Sequence, residues 1–200
     1  MKRFALFALT AALASPLAAQ SSTLTLFVTQ QQNSGSARIP DSDVRAEFDD
    51  PSAFGASIAH AFGSRFSGEL AVFRATPNVT LRDSSGASAT LGDLSLTEIT
   101  LMARVHTRRD APLGFYAGAG GAAVLTGDVF NREFGDVELD DEYTFAIGAG
   151  ATWDFTPRIG LALDARYLPL TLHGRPVGED VEIDADLNPL LISAGLRIRF

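Results

Sequence analysis

The 200-residue sequence predicts an all-β fold, namely an eight-stranded antiparallel up-and-down transmembrane β-barrel with short periplasmic turns and long extracellular loops. Three observations predict it. Apolar residues alternate with small or polar ones over eight segments, and the connections between these segments are alternately short and long. In addition, no apolar stretch beyond the N-terminus is long enough for a membrane-spanning helix.

The alternation is clearest between residues 143 and 155. Odd positions are apolar, with Tyr143 and Phe145 at one end and Trp153 and Phe155 at the other, while even positions are small or polar. Because successive side chains of a strand point to opposite faces, this segment predicts a strand with one apolar face. The other seven strands are predicted within residues 24–29, 54–62, 67–73, 97–105, 113–125, 161–167 and 190–200.

The connections predict how the barrel is oriented. Those at 63–65, 108–112 and 156–158 are short, whereas those at 32–51, 76–92, 127–142 and 171–187 are long. Outer-membrane barrels have short periplasmic turns and long extracellular loops. A soluble β-sandwich is the alternative, because its strands also alternate. Aromatic residues near the strand ends favour the barrel, because they are typical of an interfacial belt.

The N-terminal residues carry the pattern of a secretory signal peptide. Lys2 and Arg3 precede an apolar segment at 4–14, and small residues around Ala19 form a cleavage site. We therefore expect a signal peptide at 1–19 and a barrel at 20–200, located in the outer membrane of a Gram-negative bacterium. The absence of cysteine excludes a disulfide framework and a cysteine nucleophile. The net charge of −8 argues against nucleic-acid binding.

The C-terminus resembles the signal that the barrel assembly machinery recognises. It combines a polar residue, a glycine, an apolar residue and a terminal aromatic, at Ser193, Gly195, Ile198 and Phe200. The expected partners are therefore this machinery, outer-membrane lipids and lipopolysaccharide. The long connection at 128–142 contains seven acidic residues and one arginine. We interpret it as a solvated loop, because its spacing does not match a calcium-binding loop.

Several short segments together resemble the OmpW family of small outer-membrane barrels. They lie in order over most of residues 53–200: Glu69-Leu70 with Ala75-Thr76-Pro77, Leu101-Met102-Ala103, Phe115 to Gly120, Gly148-Ala149-Gly150 with Trp153-Asp154, Leu163 to Tyr167, and Asn188-Pro189 with Ser193-Ala194-Gly195 and Arg199-Phe200. Two features depart from the family: Trp153 is the only tryptophan, and Asn188 replaces the usual aspartate. The resemblance implies a narrow, largely apolar interior and a role in passing small hydrophobic molecules across the outer membrane.

Charged residues are predicted on the face that points into the barrel. They are Glu69, Glu98, Arg104, His106, Asp164, Arg166, Arg197 and Arg199. An eight-stranded barrel is just wide enough for side chains to fill, and unpaired buried ions cost several kcal/mol, so these groups must pair. A network of ion pairs that plugs the barrel is the first interpretation, and a gated polar path is the second.

A set of bulky residues predicts an apolar ligand path in the extracellular half of the interior. It comprises Phe73, Tyr116, Val124, Leu168, Leu170 and Leu191. Ordinary filling of a narrow barrel is the alternative. Three prolines are predicted at strand ends, namely Pro77, Pro169 and Pro189. Because proline donates no hydrogen bond to a neighbouring strand, each could leave a gap in the wall through which a ligand exits sideways into the bilayer. The alternative is that each proline simply ends its strand.

No catalytic, metal or cofactor site is predicted. A serine nucleophile needs a base within reach, and Ser57 lies on the opposite strand face from His60, three residues away. Neither a nucleophile elbow nor a metalloprotease motif is present. The expected function is passage of small hydrophobic molecules, and the alternative is a structural or adhesive barrel of the OmpX or OmpA type with a plugged interior.

Overall fold

The computed structural model describes residues 22–38, 45–107, 111–127, 137–176 and 183–200. The predicted signal peptide at 1–19 lies outside this part of the chain. No helix among the described residues is long and apolar enough to span a membrane.

The described residues form β-strands joined by turns and short connections. In chain order the strands are β1 (Ser22–Gln32), β2 (Ser36–Arg38), β3 (Arg45–Phe48), β4 (Ser52–Ala61), β5 (Phe66–Ala75), β6 (Asn78–Arg82), β7 (Ser88–Asp93), β8 (Leu96–His106), β9 (Leu113–Thr126), β10 (Val137–Leu139), β11 (Glu142–Asp154), β12 (Ile159–Tyr167), β13 (Thr171–Pro176), β14 (Ile183–Asp186) and β15 (Leu190–Arg199). The long strands build the barrel and the short ones build a second sheet.

Eight long strands close into an antiparallel barrel, which confirms the predicted fold class. Their order around the barrel is β1-β15-β12-β11-β9-β8-β5-β4, and β1 pairs with both β15 and β4 to complete the ring. Closure leaves none of these eight strands at the edge of the sheet. The three short connections and the first described residue, Ser22, lie at the same end, which is the periplasmic one in the predicted orientation.

The two faces of each strand follow the alternation in the sequence. On β8, Leu101 and Val105 are exposed on the outer surface, whereas Thr100 and Arg104 are buried inside. Aromatic residues on the outer face lie near both strand ends, with Tyr143 at the extracellular end of β11 and Trp153 at its other end. This distribution is the one expected of a barrel with interfacial belts.

A second sheet forms on the extracellular side from strands within the four long connections. Its order is β10-β13-β14-β2-β3-β6-β7. One face covers an apolar cluster that caps the barrel interior, with Ala46, Val79, Leu94, Leu96, Val124, Leu170, Leu172, Ala185 and Leu187 buried in it. The sequence predicted only loops here, because pairs such as β14 with β2 join segments that meet only after the barrel has closed.

Candidate functional site

Four charged residues meet in the middle of the barrel. Arg166 donates to Glu69 over 2.7 Å, and Arg104 donates to the same carboxylate oxygen of Glu69 and to Asp164, the latter over 3.2 Å. Arg166 also lies 3.4 Å from Asp164. All four side chains are at least nine-tenths buried. Two cations and two anions therefore form a neutral cluster, which we call the charge plug.

Neighbouring polar groups complete the charge plug. Arg166 donates a second hydrogen bond to the hydroxyl of Thr100, and Tyr116 donates to Asp164 over 2.6 Å. The Arg104 guanidinium lies over the Tyr116 ring, 4.3 Å from its centroid. Hydrogen bonds of this kind offset the desolvation of buried ions, which Coulomb attraction alone repays only in good geometry.

Glycines on two barrel strands provide the space for the charge plug. A Cβ at Gly118 would lie 2.9 Å from the Cγ of Arg104, and one at Gly150 would overlap the ring of Tyr116. Larger residues at these two positions would therefore displace the side chains that bind the acidic groups.

The other predicted charged residues lie outside the charge plug, which corrects the prediction that all eight form one network. Arg197 and Arg199 each donate to Asp154, both over 2.8 Å, at the periplasmic end. Asp154 was not predicted as a site residue. Both arginines follow Gly195 on β15, near its periplasmic end.

Glu98 is also separate from the charge plug. Its side chain is 1% exposed, and neither carboxylate oxygen has a hydrogen-bond partner. Its cross-strand partners are Phe73 on β5 and Val124 on β9, both buried. A buried carboxylate in such surroundings is costly unless another group binds it.

A small cavity of about 30 Å³ lies on the periplasmic side of the charge plug. It is lined by polar groups that include Ser67 and His106, and the Ser67 hydroxyl lies 2.8 Å from His106 Nε2. Ser67 lies 39 positions from His106 in the sequence, on the neighbouring strand β5, so no local pattern predicts this contact. The cavity is large enough for a water molecule but not for a substrate.

Buried apolar side chains fill the interior on the extracellular side of the charge plug. Leu168 and Leu191 pack with Met102, Ala122 and Ala146, and above them Val124 and Leu170 belong to the cluster beneath the second sheet. We call these two clusters together the apolar layer. Four of the six residues of the predicted ligand path lie in it.

The other two residues of that path lie elsewhere. Tyr116 is near the periplasmic start of β9, opposite His106, so its predicted place in the extracellular half is wrong. Its hydroxyl belongs to the charge plug. Phe73 packs against Phe27 with 5.8 Å between ring centroids, and the Arg166 guanidinium lies 5.1 Å from its ring centroid. Phe73 therefore lies at the boundary between the charge plug and the apolar layer.

The barrel wall is interrupted beside the apolar layer. The β11–β12 ladder ends at the pair Ile147–Tyr167, although β11 continues to Glu142 and remains paired with β9 over this length. Residues 142–146 of β11 thus face residues 168–172 without a backbone ladder among the described residues. This stretch of five residues is about 16 Å long at the usual rise of a strand. We call it the wall gap.

Two side-chain contacts cross the wall gap. The Thr144 hydroxyl donates to the carbonyl oxygen of Pro169, and His173 Nδ1 lies 2.7 Å from a carboxylate oxygen of Glu142. Beyond this contact the backbone pairing resumes, because the Asp140 amide donates to the His173 carbonyl over 2.9 Å. The segment 168–170 is bound on its other side, where the amide of Leu168 donates to Pro189.

Of the three prolines proposed for a sideways exit, two lie in a continuous wall. The carbonyl of Pro77 accepts from the amide of Leu94 over 2.9 Å, and that of Pro189 accepts from Leu168 over 3.1 Å. Both ladders therefore continue past the proline, and the idea of a gap at these two positions is wrong. Pro169 is the proline at the wall gap.

The predicted assembly residues lie on both faces of the last strand. Inside the barrel, Ser193 shares a hydrogen bond of 2.7 Å with Thr29, and Gly195 packs under Phe27. Phe200 is 49% exposed at the end of the strand, and Ile198 is half-buried. Their role in assembly stays a prediction.

Solved structures similar to this chain are outer-membrane barrels. OprG from Pseudomonas aeruginosa superposes with a TM-score of 0.74 at 14% identity, covering 90% of this chain and 97% of that one. AlkL gives a TM-score of 0.65 at 19% identity, covering 90% of both chains. The outer membrane protein W of E. coli gives 0.54 at 12% identity, covering 91% of this chain and 98% of that one.

No family model matches the sequence, and no curated protein matches it. The structural likeness nevertheless agrees with the resemblance carried by the sequence segments, because OprG and AlkL are OmpW-like proteins. The chain therefore has the fold of the OmpW-like small outer-membrane β-barrels, with eight antiparallel strands.

Proposed function

We propose that this barrel passes small hydrophobic molecules from the extracellular side into the outer membrane without an energy source. The wall gap carries the proposal, because it lies at the level of the apolar layer and above the charge plug. A molecule that enters among the extracellular strands would meet Leu168 and Leu170, which border the gap and are buried. An apolar solute gains free energy in such surroundings and loses it among the ions below.

The charge plug directs such a molecule sideways. Glu69 and Arg166, both with almost no solvent exposure, occupy the interior below the apolar layer. Passage along the axis would require breaking hydrogen-bonded ion pairs in a low-dielectric interior. Leaving through the wall gap instead requires the loss of two side-chain contacts, those of Thr144 and His173.

A disulfide across the wall gap tests the exit. Continuing the register of the pair Ile147–Tyr167 places Phe145 opposite Pro169, so we would join them as Phe145→Cys and Pro169→Cys. The chain has no other cysteine. The matched control joins Ala149→Cys to Ala165→Cys, which are paired residues of the intact ladder. The readout is uptake of a small apolar fluorophore by cells with an intact lipopolysaccharide leaflet.

The expected result is uptake by the reduced gap variant, loss of uptake after oxidation, and no effect of oxidation on the control variant. Equal uptake by the oxidised and reduced gap variants would show that the molecule does not leave through the gap. Equal uptake by the wild-type strain and a deletion strain would remove the basis for transport of this class of molecule.

A structural or adhesive barrel is the second candidate, and the closed charge plug is the observation that favours it. Four buried ionic groups hold strands β5, β8 and β12 together across the interior. Binding of whole cells to host or abiotic surfaces, lost on deletion of the gene while apolar uptake is unchanged, would support this function instead.

A further inference from the structure

We propose that the Glu98 carboxylate binds the ammonium group of a small apolar amine, whose hydrocarbon part lies in the apolar layer. The inference rests on the proposed function, because it names a class of molecule that the same interior would accept. Its starting observation is that both oxygens of Glu98 are buried and have no hydrogen-bond partner.

The ion pairs of the charge plug do not include Glu98. In the charge plug, Arg104 and Arg166 balance Glu69 and Asp164, and their hydrogen bonds connect these four to one another and to Thr100 and Tyr116. Glu98 lies immediately above them on β8, two positions from Thr100. A ligand with a single positive charge would give its carboxylate a partner of opposite charge.

The surroundings of Glu98 favour an organic cation over a metal ion. Its neighbours on the same strand face are Leu96 above and Thr100 below, and its cross-strand partners are Phe73 and Val124. Calcium and similar ions need six or more oxygen ligands, whereas these neighbours provide mostly carbon. The described residues contain no group of three or more acidic or histidine side chains placed to hold a metal ion.

The same neighbours match the two ends of an amphipathic amine. The ammonium group would donate to the carboxylate oxygens, and a charge-assisted hydrogen bond is stronger in an apolar interior. The hydrocarbon part would contact Leu96 and Val124, which are fully buried members of the apolar layer. An uncharged apolar molecule of the same shape would gain only the second interaction.

Titration of the folded full-length barrel in lipid nanodiscs tests this inference. The probes are phenethylammonium and its uncharged isostere propylbenzene, with empty nanodiscs subtracted to account for partition into lipid. Glu98→Gln keeps the shape of the side chain and removes its charge. Glu47→Gln is the matched control, because it removes one acidic charge from an exposed position of the extracellular sheet, where Glu47 pairs with Arg82.

We expect Glu98→Gln to raise the Kd of phenethylammonium about tenfold or more and to change that of propylbenzene less than about twofold, since a charged hydrogen bond is lost. Glu47→Gln should change neither Kd. An unchanged Kd for the amine in Glu98→Gln, an equal loss for both probes, or displacement of the amine by Ca²⁺ alone would overturn the inference.

Uptake of propylbenzene by cells tests the proposed function separately. If the wild-type strain takes up propylbenzene no faster than the deletion strain, transport of apolar molecules fails. The amine site is then still decided by the titration, because binding to Glu98 is measured on the purified barrel. If uptake succeeds and the titration shows no preference for the amine, only the inference about Glu98 fails.

Discussion

The hydroxyl of Thr144 donates a hydrogen bond to the carbonyl oxygen of Pro169 across the stretch where the β11–β12 ladder has stopped. Strand β11 stays paired with β9 on its other side, and residues 168–170 stay bonded to the segment that leads into β15. On the periplasmic side of the wall gap the barrel is thus closed by backbone pairing of β11 with β12. At the wall gap itself it is closed by side-chain contacts. A side-chain contact can open at a smaller cost than a ladder of backbone hydrogen bonds.

Replacement of Thr144 by valine should make the wall gap open more readily. Valine keeps the branched shape but cannot donate to Pro169, and a typical hydrogen bond contributes about 1 kcal/mol. We expect faster uptake of an apolar fluorophore by cells that contain Thr144→Val. Thr97→Val is the control, because Thr97 lies between two continuous ladders. Uptake that is unchanged or slower than wild type would argue against this role of Thr144.

Removal of the charge of Glu69 should weaken the barrel more than removal of that of Asp154. Glu69 accepts from two buried arginines, so Glu69→Gln leaves them without their shared anion, at a cost of about 3–5 kcal/mol in unfolding free energy. Asp154 accepts from Arg197 and Arg199 at the periplasmic end, where all three side chains are more exposed than those of the charge plug, so Asp154→Asn should cost less. The unfolding free energy of both variants is measured by urea titration, with the folded fraction read from electrophoretic mobility. Equal losses of unfolding free energy would contradict the greater importance of Glu69.

The contact between His173 and Glu142 should make the wall gap sensitive to pH. His173 lies in the extracellular sheet, and its hydrogen bond to Glu142 raises the pKa of its imidazole above the ordinary value of 6.5, with Asp184 and Asp140 acting in the same direction. Because the folded-state pKa is raised, the stabilising contact is complete below the unfolded-state pKa. It is lost as the pH rises through the folded-state pKa.

Uptake through the wall gap should therefore increase as the external pH rises through the neutral range. The His173→Asn variant, which cannot become charged, should show no such increase. A pH titration of the His173 imidazole by NMR gives an independent readout, because Glu142→Gln should lower the pH at which half of the His173 side chains are protonated. A midpoint that does not move in Glu142→Gln would exclude this contact as the cause of the raised pKa.

Truncation of the terminal aromatic should reduce assembly rather than the stability of the assembled barrel. Phe200 is half-exposed on the outer surface, as is Phe155 at the same end of the barrel. We expect Phe200→Ala to lower the amount of folded protein in the membrane fraction, measured by heat-dependent mobility, while the barrels that do form unfold at an unchanged urea concentration. If Phe155→Ala lowers the yield equally, the effect belongs to exposed aromatic residues at this end in general.

The sequence by itself determined the eight strands, their antiparallel order and the face on which each side chain lies. These properties follow from a period of two residues and from the lengths of the connections, both of which are local. The alternation on β8 and β11 alone placed Arg104 inside and Phe145 outside, and the structure shows both there.

Only the tertiary structure decided which of the interior groups meet. The charge plug joins residues up to 97 positions apart, and the height at which Glu69 meets Arg166 depends on the stagger of strands around the closed barrel. For this reason the alternation of the sequence predicted that Glu98, Arg197 and Tyr116 point into the barrel. It could not predict which residues they contact or how far along the barrel axis they lie. The wall gap depends in the same way on where the β11–β12 register ends, which no single segment of the sequence encodes.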